Sequence, residues 1–155
     1  MRIKPNRFVG HKIGPFENIE LSWERESRST LIVAENGMGK TTLVATIAYC
    51  LALNGNNLSG QTHQFVKKAF YDSYSFAYLE LLIDGEIGWI LAGTTRKERS
   101  QEHESLITQL TGLSNSDVYG FFRKRASLFH QSKNYYELHQ SFVQQTNVKA
   151  FFAAY

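Results

Sequence analysis

The apolar positions near the N-terminus predict a series of short strands. Residues 2–9 form a strand-like run, and residues 18–23 alternate between apolar and polar side chains, as expected of a strand with one exposed face. Residues 30–33, with the sequence Thr-Leu-Ile-Val, are apolar and mostly β-branched, so they predict a further strand. We therefore assign residues 1–34 to N-terminal strands.

A helix is predicted directly after these strands. Leu43, Ile47 and Leu51 recur every four residues, which is the spacing of one face of a helix. Gly55 follows the last of them closely and is expected to end the helix. Residues 34–53 therefore predict a loop followed by a helix.

The middle and the end of the chain are less regular. Residues 54–64, rich in Asn, Gly and Ser, predict a surface loop, whereas residues 65–74 show no clear period and receive no assignment. Residues 105–113 predict a short amphipathic helix. This helix is the first part of a segment, 105–131, whose last residues are strand-like. Residues 132–155 are rich in glutamine and aromatic residues and predict a helical tail.

Residues 75–93 predict a β-hairpin. Two apolar runs, 76–83 and 87–92, flank the dipeptide Asp84-Gly85, and an Asp-Gly pair between apolar runs favours a tight turn because glycine tolerates a positive φ. A second interpretation stays open. Asp84 follows an apolar run, as does the acidic Mg²⁺ ligand of many phosphate-loop enzymes. Turn chemistry favours the hairpin.

Composition and charge indicate a globular protein with one domain. The chain has 155 residues, of which 43% are hydrophobic and 20% are charged, and this excludes extensive disorder. Its net charge of +3 is compatible with nucleic acid but does not identify it. The single cysteine, Cys50, excludes an internal disulfide and favours a reducing compartment. The N-terminus is unlike a signal peptide and no apolar run is long enough to span a bilayer, so we expect a cytoplasmic protein without a membrane partner.

The stretch 31–42, LIVAENGMGKTT, narrows the function most. An apolar run leads into a glycine-containing loop, and the loop ends in Lys40 and two threonines at the start of the predicted helix. Backbone N–H groups in such a loop, aimed along a helix N-terminus, bind phosphate oxygens. Lys40 would reach the outer phosphates of ATP, and the Thr41 hydroxyl would coordinate Mg²⁺. Ala34 stands at the first glycine position of the usual G-x-x-x-x-G-K-[ST] pattern. The predicted nucleotide-binding residues are Glu35, Asn36, Gly37, Met38, Gly39, Lys40, Thr41 and Thr42.

These motifs resemble the SMC, RecF and RecN-like branch of the ABC-type P-loop ATPases, which includes double-strand-break repair ATPases. The resemblance rests on Phe16-x-x-Ile19-x-Leu21, on the Asn-Gly-x-Gly-Lys centre of the phosphate loop, and on residues 110–131, whose order looks like the approach to the family's Q-loop. It implies an α/β fold. The chain would be the N-terminal lobe of an ABC/SMC-like head, a P-loop NTPase core with an antiparallel β subdomain.

The resemblance also implies roles for individual residues. Lys40 and Gln131 would be catalytic, and Gln131 would contact Mg²⁺ or the attacking water. Thr41 and Gln131 would be the metal-binding side chains, and Asn36 would lie near the γ-phosphate. The implied cofactors are ATP and Mg²⁺.

Two elements of that family are missing from this sequence. Neither an ABC signature nor an apolar strand ending in Asp-Glu follows Gln131. In the family these elements lie in a C-terminal lobe beyond a coiled coil, toward which residues 132–155 would lead. We therefore expect ATP hydrolysis only with the C-terminal lobe of the same ATPase or with a second head in a dimer. Other protein subunits and DNA are candidate partners, in DNA repair, DNA maintenance or DNA-directed defence.

Other interpretations remain open at this stage. One alternative is a nucleotide-binding regulatory or scaffolding module of a defence complex, and this module would not itself be an enzyme. Another is a small phosphotransferase that uses Asp84 as its Mg²⁺ ligand. Two basic clusters would either contact DNA phosphates or form solvated faces. They are Arg123, Lys124 and Arg125, and Lys67 and Lys68.

Overall fold

The structure, a computed structural model, describes residues 3–23, 31–52, 60–72, 74–94, 100–114 and 128–133. These residues form one five-stranded antiparallel sheet with helices on both faces. In chain order the elements are β1 (Ile3–Ile13), β2 (Phe16–Ser22), α1 (Lys40–Ala52), α2 (Gly60–Ala69), β3 (Phe76–Ile83), β4 (Glu86–Thr94), α3 (Gln101–Thr111) and β5 (Leu128–Lys133). The strand order across the sheet is β2-β1-β3-β4-β5.

The long strand β1 joins the edge strand β2 to the other three strands of the sheet. It pairs with β2 on one side, with Phe8 opposite Leu21, and with β3 on the other, with Phe8 opposite Leu79. β3 and β4 form a hairpin around Asp84 and Gly85, whose φ angles are 50° and 91°. Positive φ at both positions is what a tight two-residue hairpin turn requires. The structure therefore has the hairpin that residues 75–93 predict.

Alternation along the strands gives the sheet two apolar faces. On one face, Phe8, Leu79 and Ile90 are buried in a core cluster beneath α1 and α2. Leu43 of α1 and Val66 of α2 belong to the same cluster. On the other face, α3 places Ile107 against a smaller cluster that consists of Phe76, Tyr78, Trp89 and Leu91. Burying a large apolar side chain contributes about 1.5–3 kcal/mol relative to leaving it exposed. Apolar burial on both faces therefore holds the helices against the sheet.

Two helices differ from the sequence-based assignment. α2 begins at Gly60, within the predicted loop, and continues into the unassigned stretch. Its sequence is mostly polar, and Val66, Ala69 and the following Phe70 are buried, so tertiary packing stabilises it more than its own propensity. α3 begins four residues before the prediction, because Ser100 caps it by accepting a hydrogen bond from the backbone N–H of His103 at 3.3 Å.

The strand predicted at 30–33 is not part of the sheet. Residues 31–33 precede the phosphate loop as an irregular segment without a ladder partner in the described part of the chain. Among the described strands, β2 is the edge strand and pairs with β1, and residues 31–33 do not add a strand to its free side. Residues 132 and 133 of the predicted helical tail belong to the strand β5, and the rest of that tail, 134–155, lies outside the described residues, as does the basic cluster at 123–125. No helix among the described residues is long and apolar enough to cross a membrane.

Candidate functional site

The predicted phosphate loop forms a tight turn that ends at the N-terminus of α1. Gly37 and Gly39 have φ angles of 84° and 89°, in the left-handed region that favours glycine. The backbone N–H of Met38 donates to the carbonyl of Glu35 at 3.4 Å, and that of Leu43 donates to the carbonyl of Gly39 at 2.9 Å. The second bond begins the regular helix. The loop therefore lies at the positive end of a 13-residue helix.

Lys40 bridges the two ends of this loop. Its Nζ donates to the carbonyl of Ala34 and, at 2.8 Å, to the carbonyl of Glu35. Both acceptors are neutral and the loop is open to solvent, so an anionic phosphate would attract the ammonium more strongly than these carbonyls do. The first turn of α1 contains no acidic residue to compete for it. The side chain is therefore placed to bind phosphate oxygens.

The turn between β1 and β2 supports the phosphate loop. A Cβ at Gly39 would lie 2.6 Å from Pro15 Cγ and 2.8 Å from Phe16 Cε2, and a Cβ at Gly14 would lie 2.8 Å from Thr42 Cγ2. Both glycines also have positive φ, so any side chain there would be strained as well as crowded. Sequence reasoning did not include Gly14 and Pro15 in the site. Two features of the sequence could have indicated this turn. One is the stretch rich in glycine and proline before β2, and the other is Phe16, the first residue of the family pattern.

The described residues fit a magnesium ion that is held mainly by phosphates and water. No group of three or more His, Cys, Asp or Glu side chains in the described ranges is placed to hold a metal ion. Thr41 follows Lys40 in the first turn of α1 and is exposed, so one hydroxyl oxygen is available beside the loop. Mg²⁺ commonly keeps several waters and binds phosphate oxygens of its nucleotide, so a single protein donor is a suitable contribution.

Asp84 is not a magnesium ligand of this site, which corrects the phosphotransferase hypothesis. Phe76, at the start of β3, pairs with His11 near the turn that supports the loop. Asp84 follows the opposite end of this eight-residue strand. At a rise of about 3.3 Å per residue it lies about 25 Å farther along the sheet. Asp84 follows an apolar run because it begins the turn of the β3–β4 hairpin.

Gln131 lies on a different part of the sheet from the loop residues. Its backbone pairs with Leu91 in the edge strand β5, and β3 and β4 separate it from β1. At about 4.8 Å between neighbouring strands, this separation is about 14 Å. The structure brings residues 35–42 together but does not bring the Gln131 backbone beside them. A contact of Gln131 with Mg²⁺ or water stays a prediction.

The segment that enters the loop is the most exposed apolar part of the site. Leu31 and Val33 are 87% and 80% exposed, whereas Ile32 between them packs against the core beneath α1. This alternation is that of a strand with one face on the protein and the other uncovered. The exposed side chains lie directly before the loop that would hold the nucleotide.

Comparison with known proteins identifies the family. A family model described as an AAA domain matches residues 7–151, which include all of the loop and most of the described sheet. Searches of curated proteins and of solved structures found no match. The matched range covers far more than half of the chain, and the loop within it has Gly37 and Gly39 at positive φ before the N-terminus of α1. The chain belongs to the AAA domain family of P-loop ATPases, and it is an ATP-binding module with an α/β fold.

Proposed function

We propose that this chain is the Mg·ATP-binding half of an SMC/RecF-like ATPase, which hydrolyses ATP only with a C-terminal lobe and a partner head. The observation that carries the proposal is the exposure of Leu31 and Val33 in the segment that enters the phosphate loop. Leaving Leu31 and Val33 in water costs about 1.5–3 kcal/mol each relative to burial. An added strand would cover them and would extend the site beside the phosphate loop.

The loop supplies binding but an incomplete set of catalytic groups. Backbone N–H groups of residues 35–41 and the ammonium of Lys40 would hold the phosphates, and Lys40 would stabilise charge that develops as water attacks the γ-phosphorus. Mg²⁺, when bound beside Thr41, supplies further neutralisation of phosphate charge. Within the described ranges, no group of three or more His, Cys, Asp or Glu side chains is placed to hold a metal ion. We assign the positioning of the attacking water to the C-terminal lobe or to the second head.

The test is to measure nucleotide binding and hydrolysis separately on the 155-residue chain. We expect a fluorescent ATP analogue to bind, and Lys40→Ala to weaken its binding about tenfold or more because a charge-assisted contact is lost. We expect phosphate release by the wild-type chain to equal that of Lys40→Ala. Steady-state release that Lys40→Ala abolishes would show a complete enzyme and would overturn the half-site proposal.

A regulatory or scaffolding module without turnover is the second candidate, since the described ranges contain no group of three or more His, Cys, Asp or Glu side chains placed to hold a metal ion. The two candidates differ in how they respond to an added C-terminal lobe. An ATPase head gains turnover once a C-terminal lobe is present in the same preparation, whereas a module binds ATP and still releases no phosphate. DNA is the partner we propose for the ATPase, in repair, maintenance or defence.

A further inference from the structure

Helix α2 has an outer surface that its packing does not explain. Its inner side buries Val66 and Ala69 against the core, while Phe65 remains 37% exposed. Tyr71, just beyond the helix, is 62% exposed. Lys67 and Lys68 lie between these two rings along the chain and are both exposed. We call these four residues, Phe65, Lys67, Lys68 and Tyr71, the α2 patch.

The α2 patch carries positive charge without nearby compensation. α2 contains no acidic residue, and Asp72, the next one along the chain, lies 3.6 Å from Lys12. In the part of the chain that the structure describes, neither Lys67 nor Lys68 forms an ion pair. Lysines near a helix C-terminus interact favourably with the helix dipole, which accounts for their position. The dipole gives no reason for two exposed aromatic rings beside them.

We propose that the α2 patch binds a single-stranded nucleic acid. Aromatic rings stack on unpaired bases and lysines neutralise the phosphates between them, and this combination is sequence-tolerant. Phe65 lies in α2 and Tyr71 lies two residues beyond its end at Ala69, so the two rings are six positions apart along the chain and each can stack on a base of its own. Bases of a duplex are already stacked inside it, so a duplex would engage the lysines alone. The inference deepens the proposed function, on which its biological meaning rests, by naming the partner and its surface.

The α2 patch lies at the end of α2 that contacts the nucleotide site. The carbonyl of Ala69 accepts a hydrogen bond from the backbone N–H of Gly14 at 3.0 Å. Gly14 in turn packs against Thr42 in the first turn of α1. A strand on the patch would therefore lie beside the elements that support the phosphate loop.

The experiment measures anisotropy of a labelled oligothymidylate titrated with the intact chain, across a range of salt concentrations. We expect Phe65→Ala with Tyr71→Ala to weaken binding at least about twentyfold, because each lost stack costs about fivefold or more. We expect Lys67→Gln with Lys68→Gln to reduce the salt slope by about 1.4, at about 0.7 for each phosphate contact on a single strand. Lys67→Arg with Lys68→Arg keeps both charges and should retain binding.

Controls separate this inference from unfolding and from the proposed function. Ile87→Ala removes an apolar side chain that is 54% exposed in β4, next to the hairpin turn, and should leave oligonucleotide binding unchanged. Thermal unfolding and ATP-analogue binding are measured on every variant. If the wild-type chain binds the ATP analogue but not the oligonucleotide, this inference alone is overturned. If the wild-type chain binds neither the ATP analogue nor the oligonucleotide, the proposed function is overturned as well. Equal affinity for duplex DNA, or binding to anionic vesicles but not to the oligonucleotide, would likewise overturn it.

Discussion

Gly39 and Phe16 are in such close contact that no side chain fits between them. A Cβ at residue 39 would lie 2.8 Å from Cε2 of the Phe16 ring. The phosphate loop therefore depends on a residue 23 positions earlier in the sequence, at the start of β2. This contact links the shape of the loop to the fold of the sheet.

Replacing Gly39 with alanine should distort both the loop and the turn that supports it. The substitution combines a positive φ with the contact to Phe16, and we expect it to lower the free energy of unfolding by about 2 kcal/mol or more. It should also abolish binding of an ATP analogue. Gly37→Ala is the matched control, since Gly37 has a similar φ of 84° but no atom within 4 Å of an added Cβ. It should cost about 1 kcal/mol. Equal losses in urea unfolding for the two variants would contradict a role for the contact.

Thr41 should determine the magnesium dependence of nucleotide binding. If the Thr41 hydroxyl coordinates Mg²⁺, as we propose, ATP should bind the wild-type chain more tightly with Mg²⁺ than without it. Thr41→Val removes this oxygen while keeping the shape, so the gain should disappear, whereas Thr41→Ser should keep it. Calorimetric titration with and without Mg²⁺ measures the difference. A full magnesium gain in Thr41→Val would remove this residue from the site.

The exposed segment before the loop should tolerate polar residues in the isolated chain. Leu31→Thr combined with Val33→Thr should change the free energy of unfolding by less than about 0.5 kcal/mol, because both side chains are in water. Ile32→Thr should cost about 1–2 kcal/mol, because Ile32 packs on the core. Chemical unfolding of the variants measures the contrast. A large loss in the double variant would show that another segment already covers Leu31 and Val33.

Cys50 should make stability fall at high pH. Complete burial raises the pKa of its thiol from 9.0 to about 12. Between these two values the unfolded chain loses the thiol proton while the folded chain keeps it, so stability decreases as pH rises above about 9. We expect the free energy of unfolding from urea titrations to fall more steeply between pH 8 and pH 10.5 for the wild-type chain than for Cys50→Ala. The extra slope should reach about 1.4 kcal/mol per pH unit where only the unfolded thiol is ionised. Parallel curves of this free energy against pH for the two proteins would contradict this account.

Local chemistry made part of this fold predictable. Asp84-Gly85 predicts its turn because the conformation is encoded in two adjacent residues, and the spacing of Leu43, Ile47 and Leu51 predicts α1 in the same way. α2 was missed because its polar sequence has few apolar positions and depends on packing against the rest of the fold. The loop residues of the site carried a motif, whereas the supporting turn at Gly14 becomes part of the site only in three dimensions.

The segment at 30–33 shows the opposite error. Its β-branched and apolar residues have the correct propensity for a strand, but a strand also needs a partner, and propensity carries no information about whether one is present. Sequence reasoning therefore recognised the kind of segment but placed it in a sheet that the described residues do not provide. The role of Gln131 stays a prediction, because a motif order along the chain does not fix distances across a sheet.

The strand order has a consequence for how this protein folds and how it can diversify. β1 and β3 are neighbours in the sheet, yet everything that builds the nucleotide site after β2 lies in the connection between β2 and β3. The entropy of closing such a connection grows only slowly with its length. The sheet can therefore keep its register while insertions lengthen this connection, so the residues that contact a partner can change without refolding the framework.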